Sequence, residues 1–354
     1  MEERDIAAVL TEQVSEAVDT GRGLRIVGGG SKAFLGQAEA TDVLDIGGHR
    51  GIVHYEPVEL VITARAGTPI AEIEAVLAAH GQMLPFEPPR FGPTATLGGT
   101  LAMNLSGPRR PFAGAARDFL LGTRIINGRG EMLRFGGEVM KNVAGYDLSR
   151  LMAGSHGTLG VLLDASMKIL PRPPAELTLR QELSPEEAIR QLNTWAGQPL
   201  PLSAGAYDGA CVYLRLSGSE TALRAAQRRI GGEPVEDGAD FWHRLREHEH
   251  AFFRHPGRLW RLSVASSAAP IELPGNWLVD WAGAQRWYAG DADAAMVRQA
   301  AVRAGGHATL WRGEADAPRY QPLAPMVLAL HRRLKAALDP AGILNAGHPL
   351  YPQA

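Results

Sequence analysis

Leu24-Arg25-Ile26-Val27-Gly28-Gly29-Gly30-Ser31-Lys32 is the stretch on which the fold turns. A short apolar run ends at Val27 and passes directly into three glycines, a hydroxyl and an ammonium. A strand that runs out into bare backbone lets its N–H groups approach an anion, because no Cβ stands in the way. Ser31 adds a hydroxyl donor and Lys32 a positive charge. A plain glycine turn is the other reading of the same residues, and the rest of the chain has to decide between them.

On the N-terminal side, Ile6, Val9, Leu10, Val14, Ala17 and Val18 repeat at helical spacing, which predicts an amphipathic helix over 5–19. On the other side, short strands are expected near 24–27, 43–46, 52–55 and 60–65. Pro69 opens a helix that runs to Ala79 and stops at Gly81. Thr94 to Asn104 carries the pair Gly98-Gly99 among small residues and is expected to start a short helix. Residues 120–126 and 131–135 flank Asn127-Gly128-Arg129-Gly130, a hairpin signal. A helix near 147–153 and a strand near 159–169 complete this region. Pro171, Pro173 and Pro174 then mark a boundary, placing a first domain at 1–172.

Beyond the prolines glycine thins out. Strands are expected at 176–182, 208–216, 259–265 and 277–289, with helices at 185–196, 219–230, 239–252 and 292–303. The alternation describes an α+β module over 173–320 with an antiparallel sheet. A basic amphipathic helix from Ala324 to Leu338, ended by Asp339-Pro340-Ala341-Gly342, falls in a tail over 321–354.

The bulk numbers narrow the function. The chain has 354 residues, enough for two cores, with 45% apolar and 21% charged residues. A net charge of −2 with scattered arginines gives no electrostatic basis for nucleic-acid binding. The single cysteine, Cys211, excludes an intramolecular disulfide and a cysteine-held metal cluster, fits a reducing compartment, and reads as an inert strand thiol. The acidic start, Met1-Glu2-Glu3-Arg4-Asp5, is read as lacking a signal peptide, and no apolar run has the length of a membrane span. The expectation is a cytoplasmic protein with no metal site.

Two familiar nucleotide motifs do not fit. A nicotinamide-type fold needs Gly-x-Gly-x-x-Gly to open a helix, and here Gly28-Gly29-Gly30 leads instead toward strand-like sequence. The Walker pattern Gly-x-x-x-x-Gly-Lys-Ser/Thr is absent as well. What remains is a set of glycine-bearing segments at 28–32, 94–107, 136–147 and 154–161.

Taken in order, these tracts resemble the FAD-binding domain of vanillyl-alcohol-oxidase-type flavoproteins, and within them the FAD-binding subunits of bacterial glycolate oxidases. The likeness runs from Gly28–Gly36 through Leu60–Pro69, Gly98–Pro111, Arg117–Gly122, Lys141–Leu148 and Gly157–Val161 to Leu338–Gly347. It therefore spans nearly the whole chain. The resemblance implies a two-subdomain FAD-binding domain of the PCMH type followed by a smaller α+β cap or substrate-type domain. It implies that Gly28, Gly29, Gly30, Ser31 and Lys32 cradle the FAD diphosphate. Thr94, Gly98, Gly99 and Asn104 would line the flavin and phosphates, although tight helix packing is a second reading of the glycine pair. Gly157, Gly160 and Val161 would pack on the adenosine half, and Asn345 would return near the flavin. Lys141 and Asp147 are expected to form a structural ion pair.

The resemblance further implies oxidation of a small 2-hydroxy acid, glycolate to glyoxylate. Expected partners are a larger FAD-containing subunit and an iron–sulfur subunit, with membrane contact only indirect, at the inner face through that complex. No histidine lies within 28–36 to attach the flavin, so FAD is expected to be non-covalent. His156 stands where the family often has an acidic residue; a titratable histidine near the cofactor is one reading, and a surface histidine is the expected one. The second domain lacks the histidine- and glutamate-rich motifs of related 2-hydroxyacid dehydrogenases. His307, with Arg312 nearby in sequence, is either a general base or a packed or solvent-facing side chain. His243, His248 and His250 read as non-ligands. Arg109 and Arg110 either clamp an anion or sit in a solvated loop or subunit contact. No residue is assigned as catalytic, which leaves open a non-catalytic electron-relay or assembly subunit, or a free-standing D-lactate-type dehydrogenase.

Overall fold

The computed structural model describes residues 3–36, 39–40, 42–137, 147–314 and 317–348. Most of the 136–147 segment, Lys141 included, lies outside them. The chain divides into two compact units. The first comprises Met1–Leu105, Ala115–Pro171 and Leu323–Ala354; the second comprises Ser106–Gly114 and Arg172–Pro322. The short excursion Ser106–Gly114 thus belongs with the second unit although it lies inside the first along the chain.

In the first unit the helix Ala7–Thr20 buries Ala7, Leu10, Val14 and Ala17 along one stripe, and Gly21 ends it in the left-handed conformation that caps helices. The strand Leu24–Val27 pairs in parallel with Asp42–Asp45. Its other side is taken by the tail: Leu24 N–H donates to Ile343 O at 2.7 Å, and Asn345 N–H donates to Leu24 O at 2.8 Å. A five-stranded antiparallel sheet runs in the order Ile52–Glu56, Val61–Arg65, Val161–Lys168, Leu120–Ile126, Met132–Gly136. Val61, Ile62 and Ala64 are buried in its second strand, and Thr63 shares a buried hydroxyl hydrogen bond with Ser166 on the next.

The tail helix Pro325–Leu338 is tied to this unit by a shielded cation. Lys335 Nζ donates to Asp339, to Thr158 O and to Leu344 O, while the Asp339 carboxylate accepts from the N–H groups of Ile343 and Leu344. Desolvation pulls the lysine down from its ordinary value and the nearby carboxylate pulls it back up.

The second unit is built on an eight-stranded antiparallel sheet. Its order is Glu233–Pro234, Ala175–Glu182, Cys211–Gly218, Leu202–Tyr207, Asn276–Asp280, Gln285–Ala289, Leu259–Ser263, His307–Arg312. Helices Pro185–Ala196 and Glu220–Ile230 cover one core through Leu192, Leu223 and Ala226. Ala294–Arg303 covers another through Val297 and Ala301. The run expected as one strand over 277–289 is two, because Trp281 and Ala282 take positive φ and fold the chain back. The strands Leu202–Tyr207 and His307–Arg312 are additions to the sequence-based expectation. Among the described residues no helix is long and apolar enough to cross a membrane.

Candidate cofactor site

The parallel strand Leu24–Val27 delivers its carboxyl end to a cavity of about 330 Å³ within the first unit. Gly28, Gly29, Gly30, Ser31 and Lys32 line it, together with Gly98, Gly99, Gly157, Gly160 and Asn345. Three glycine segments and the tail, far apart in sequence, therefore meet at one place. Thr94, Asn104 and Val161 do not line it. Thr94 Oγ1 donates to Gly29 O at 2.6 Å. Asn104 ends the helix Leu97–Met103 at positive φ, and its Oδ1 accepts from Arg117 N–H. Val161 is fully buried in the central sheet.

Why glycine is required differs from position to position. A Cβ on Gly29 would lie 1.4 Å from Thr94 O, and one on Gly98 would lie 2.7 Å from the Ala66 Cβ. Those glycines admit neighbouring protein backbone. Gly30 is different: it has φ +68° and open space where a Cβ would point. The helix Leu97–Met103 starts at Thr96, whose Oγ1 accepts from Gly99 N–H at 3.3 Å, and Gly98 N–H donates to Ala66 O.

Asn345 closes the cavity from the tail. Its Oδ1 accepts from Ile26 N–H at 2.7 Å and its Nδ2 donates to His156 O at 2.6 Å. One amide thus stitches the glycine-terminated strand to the 154–161 loop. His156 is not a surface histidine: it lines the cavity at φ +53°, 5.0 Å from the ring of His348. Burial, with His348 alongside, lowers the His156 imidazole to about 3, and burial, with Lys335 alongside, lowers His348 to about 4. Both rings are neutral at neutral pH. Arg25 and Lys32 supply positive charge to the lining, and no carboxylate lines it among the described residues.

His348, Arg25 and the apolar lining from Val43, Ile46, Ala66 and Leu162 were not anticipated. Asp147 caps the helix Leu148–Met152 by accepting from Arg150 N–H, and its ion pair is to Arg150 at 3.0 Å. In the second unit Arg109 pairs with Glu176 at 2.6 Å, and the Arg110 guanidinium lies over the Trp281 ring at 4.2 Å. His307 is exposed on an edge strand. His248 stacks on Phe253 with ring centroids 3.9 Å apart.

A cation-bearing, carboxylate-free cavity at the carboxyl end of a parallel strand, with an open positive-φ glycine at its mouth, suits a diphosphate. Together with the fold it defines the class: an FAD-binding flavoprotein. Residues 5–136 match the family described as FAD binding domain. Over 347 residues the chain is 51% identical to the glycolate oxidase subunit GlcE of Escherichia coli (strain K12), covering 98% of both chains, and it belongs to that family. It is also 33% identical over 128 residues to the glycolate oxidase subunit GlcD of Bacillus subtilis (strain 168), a match covering 36% of this chain and 27% of that one. Among solved structures an alkyldihydroxyacetonephosphate synthase superposes with a TM-score of 0.65 at 16% identity, over 99% of this chain and 75% of the other, which shows a shared fold.

Proposed function

We propose that this chain is the FAD-binding subunit of a glycolate oxidase complex, and that it takes part in oxidising glycolate, or a closely similar 2-hydroxy acid, to the 2-oxo acid. When bound, FAD supplies the two-electron acceptor; the protein supplies binding, orientation and electrostatics. Gly28–Lys32 would hold the diphosphate through backbone N–H groups, the Ser31 hydroxyl and the Lys32 ammonium. Gly98 and Gly99 would let the helix Leu97–Met103 lie close against the cofactor. Gly157 and Gly160 would flank its adenosine half, with His156 and His348 presenting uncharged rings. The attachment is non-covalent, and Asn345 holds the walls together.

The observation that carries this proposal is the meeting of three glycine segments and Asn345 on one cavity whose charged lining is entirely cationic. The full complex adds a larger FAD-containing subunit and an iron–sulfur subunit, which would carry electrons onward from the cytoplasmic side and link the assembly to the inner membrane.

A second reading, a flavin-bearing relay or assembly subunit whose sister chain oxidises the substrate, is favoured by the state of the second unit's histidines. His248 is stacked among aromatic rings and held down to about 3, first by burial and then by Arg261 and Arg312. One experiment tests both. Purified chain is expected to be yellow and to release FAD on acid precipitation. Anaerobic glycolate bleaches the flavin band if this subunit turns over substrate, and leaves it unchanged if it relays. A colourless chain that takes up no FAD sinks both.

A further inference from the structure

One face of the second unit's sheet is not used by the flavin cavity and is chemically unusual. Arg261 sits mid-strand in Leu259–Ser263, opposite Trp287 on one neighbouring strand and Thr309 on the other. On the reverse face Trp260, Leu262, Tyr288 and Leu310 pack into an apolar core under Val297 and Ala301. The Arg261 face is walled by aromatic rings instead. Its guanidinium carbon lies 5.1 Å from the Trp281 ring and 5.6 Å from the Trp311 ring, and Trp311 meets Trp287 edge-on at 5.0 Å.

This cation makes one side-chain hydrogen bond among the described residues. Its Nε donates to Gln285 Oε1 at 2.6 Å, and its two terminal amino groups have no protein acceptor among the described residues. Asp280 helps to keep it charged, yet that carboxylate accepts from Trp281 N–H and from Gln285 Nε2. A second guanidinium, Arg110, lies over the same Trp281 ring at 4.2 Å. Desolvation first, and then Arg110, push Arg261 down to about 10, and Arg261 in turn helps burial hold His248 neutral. A half-buried, fork-shaped donor with both prongs open offers a pair of parallel N–H groups to a ligand.

We propose that the Arg261 fork between Trp281 and Trp311, with Arg110 beside it, is a binding site for a small planar carboxylate. A guanidinium and a carboxylate match in two parallel hydrogen bonds in one plane. Flat indole walls suit a flat, singly charged group better than a tetrahedral dianion that would lose more hydration there. This site deepens the functional proposal above, on which the choice of natural ligand rests: it gives the 2-hydroxy acid, or the 2-oxo acid made from it, a carboxylate partner on this chain.

The test uses the full-length, flavin-loaded chain, with calorimetry and tryptophan fluorescence as readouts and glycolate, glyoxylate, acetate and inorganic phosphate as ligands. The carboxylates are expected to bind saturably and to change the tryptophan emission. Arg261→Gln weakens them by at least about tenfold, since a charge-assisted bidentate pair is lost. Arg261→Lys, which keeps the charge without the fork, falls between and remains readable if the glutamine variant folds poorly, as melting and flavin content will show. Carboxylates that bind both variants like the parent overturn the site, and so does phosphate binding where the carboxylates do not. Anaerobic bleaching by glycolate is scored separately. Arg261-dependent binding without bleaching leaves the site standing and removes turnover by this chain. Bleaching at parental rates in both variants keeps turnover and removes the site.

Discussion

Asn345 offers the sharpest perturbation, because one side chain holds two walls of the flavin cavity and also sits in a left-handed backbone conformation. Its amide satisfies Ile26 N–H and His156 O, both partly buried, and its φ is +45°. Each backbone group left without a partner costs about 1–3 kcal/mol. An alanine in the left-handed region costs about 1 kcal/mol more, a penalty that asparagine largely escapes and glycine does not incur. Asn345→Ala is therefore expected to lose about 3–7 kcal/mol, and Asn345→Gly about 1 kcal/mol less than that. For a domain of this size the alanine variant melts roughly 10 °C lower. Asn345→Asp keeps the acceptor toward Ile26 but sets a carboxylate against a carbonyl, so it falls between parent and alanine. Denaturant titration of the three variants, with flavin retention measured on a desalting column, supplies the order. An alanine variant within about 0.5 kcal/mol of the parent, or a glycine variant less stable than the alanine one, would refute the stitching argument.

Neighbouring glycines should part company. Gly29→Ala drives a Cβ into Thr94 O and is expected to displace the loop and empty the flavin site, whereas Gly30→Ala meets open space and costs only about 1–2 kcal/mol of backbone strain; flavin content of the two variants checks this. Lys335→Met leaves the fully buried Asp339 carboxylate without its cation and should cost about 3–5 kcal/mol by denaturant unfolding, with Lys335→Met/Asp339→Asn recovering part of the loss. Acid should destabilise the first unit through its histidines. His156 and His348 have folded-state values of about 3 and about 4, below the unfolded value near 6.5, so the unfolded chain takes up protons first as pH falls. Their contribution is complete above about pH 6.5 and is lost at up to about 1.4 kcal/mol per pH unit per ring between there and pH 4. His348→Gln should flatten the stability profile between pH 6.5 and 5, and a profile of unchanged slope would remove the assignment.

Sequence pattern revealed most elements of the first unit, because there the physical signal is local. The apolar stripe of Ala7–Thr20 and the hairpin at Asn127-Gly128 depend on residues a turn or a strand apart. Leu202–Tyr207 was harder to see. All six of its residues are buried, so alternation, the usual mark of a half-exposed strand, is missing from Leu-Ser-Ala-Gly-Ala-Tyr. The fold-back puts Trp281 and Ala282 at positive φ ahead of Gly283, so its local mark is a single glycine inside an apolar run. In the cavity the glycines and Asn345 stood out by type. His156 stood out by type as well, but its burial did not show, since its ring neighbour His348 comes from the returning tail, which no local pattern discloses. The glycines also had more to do than approach a ligand: Gly28, Gly29 and Gly98 make room for Thr96, Thr94 and Ala66.

The parallel pairing of the tail with Leu24 has a consequence for how the molecule is made. The strand that presents the glycines emerges early from the ribosome, but the residues that flank it and bridge it to the 154–161 loop are translated more than three hundred positions later. Until residues 343–345 leave the exit tunnel, Leu24 has an open edge and Ile26 an unanswered amide. The walls of the cavity are in this way joined only after residues 343–345 have been made, and a nascent chain stalled in its second unit would carry a site still missing one of its sides.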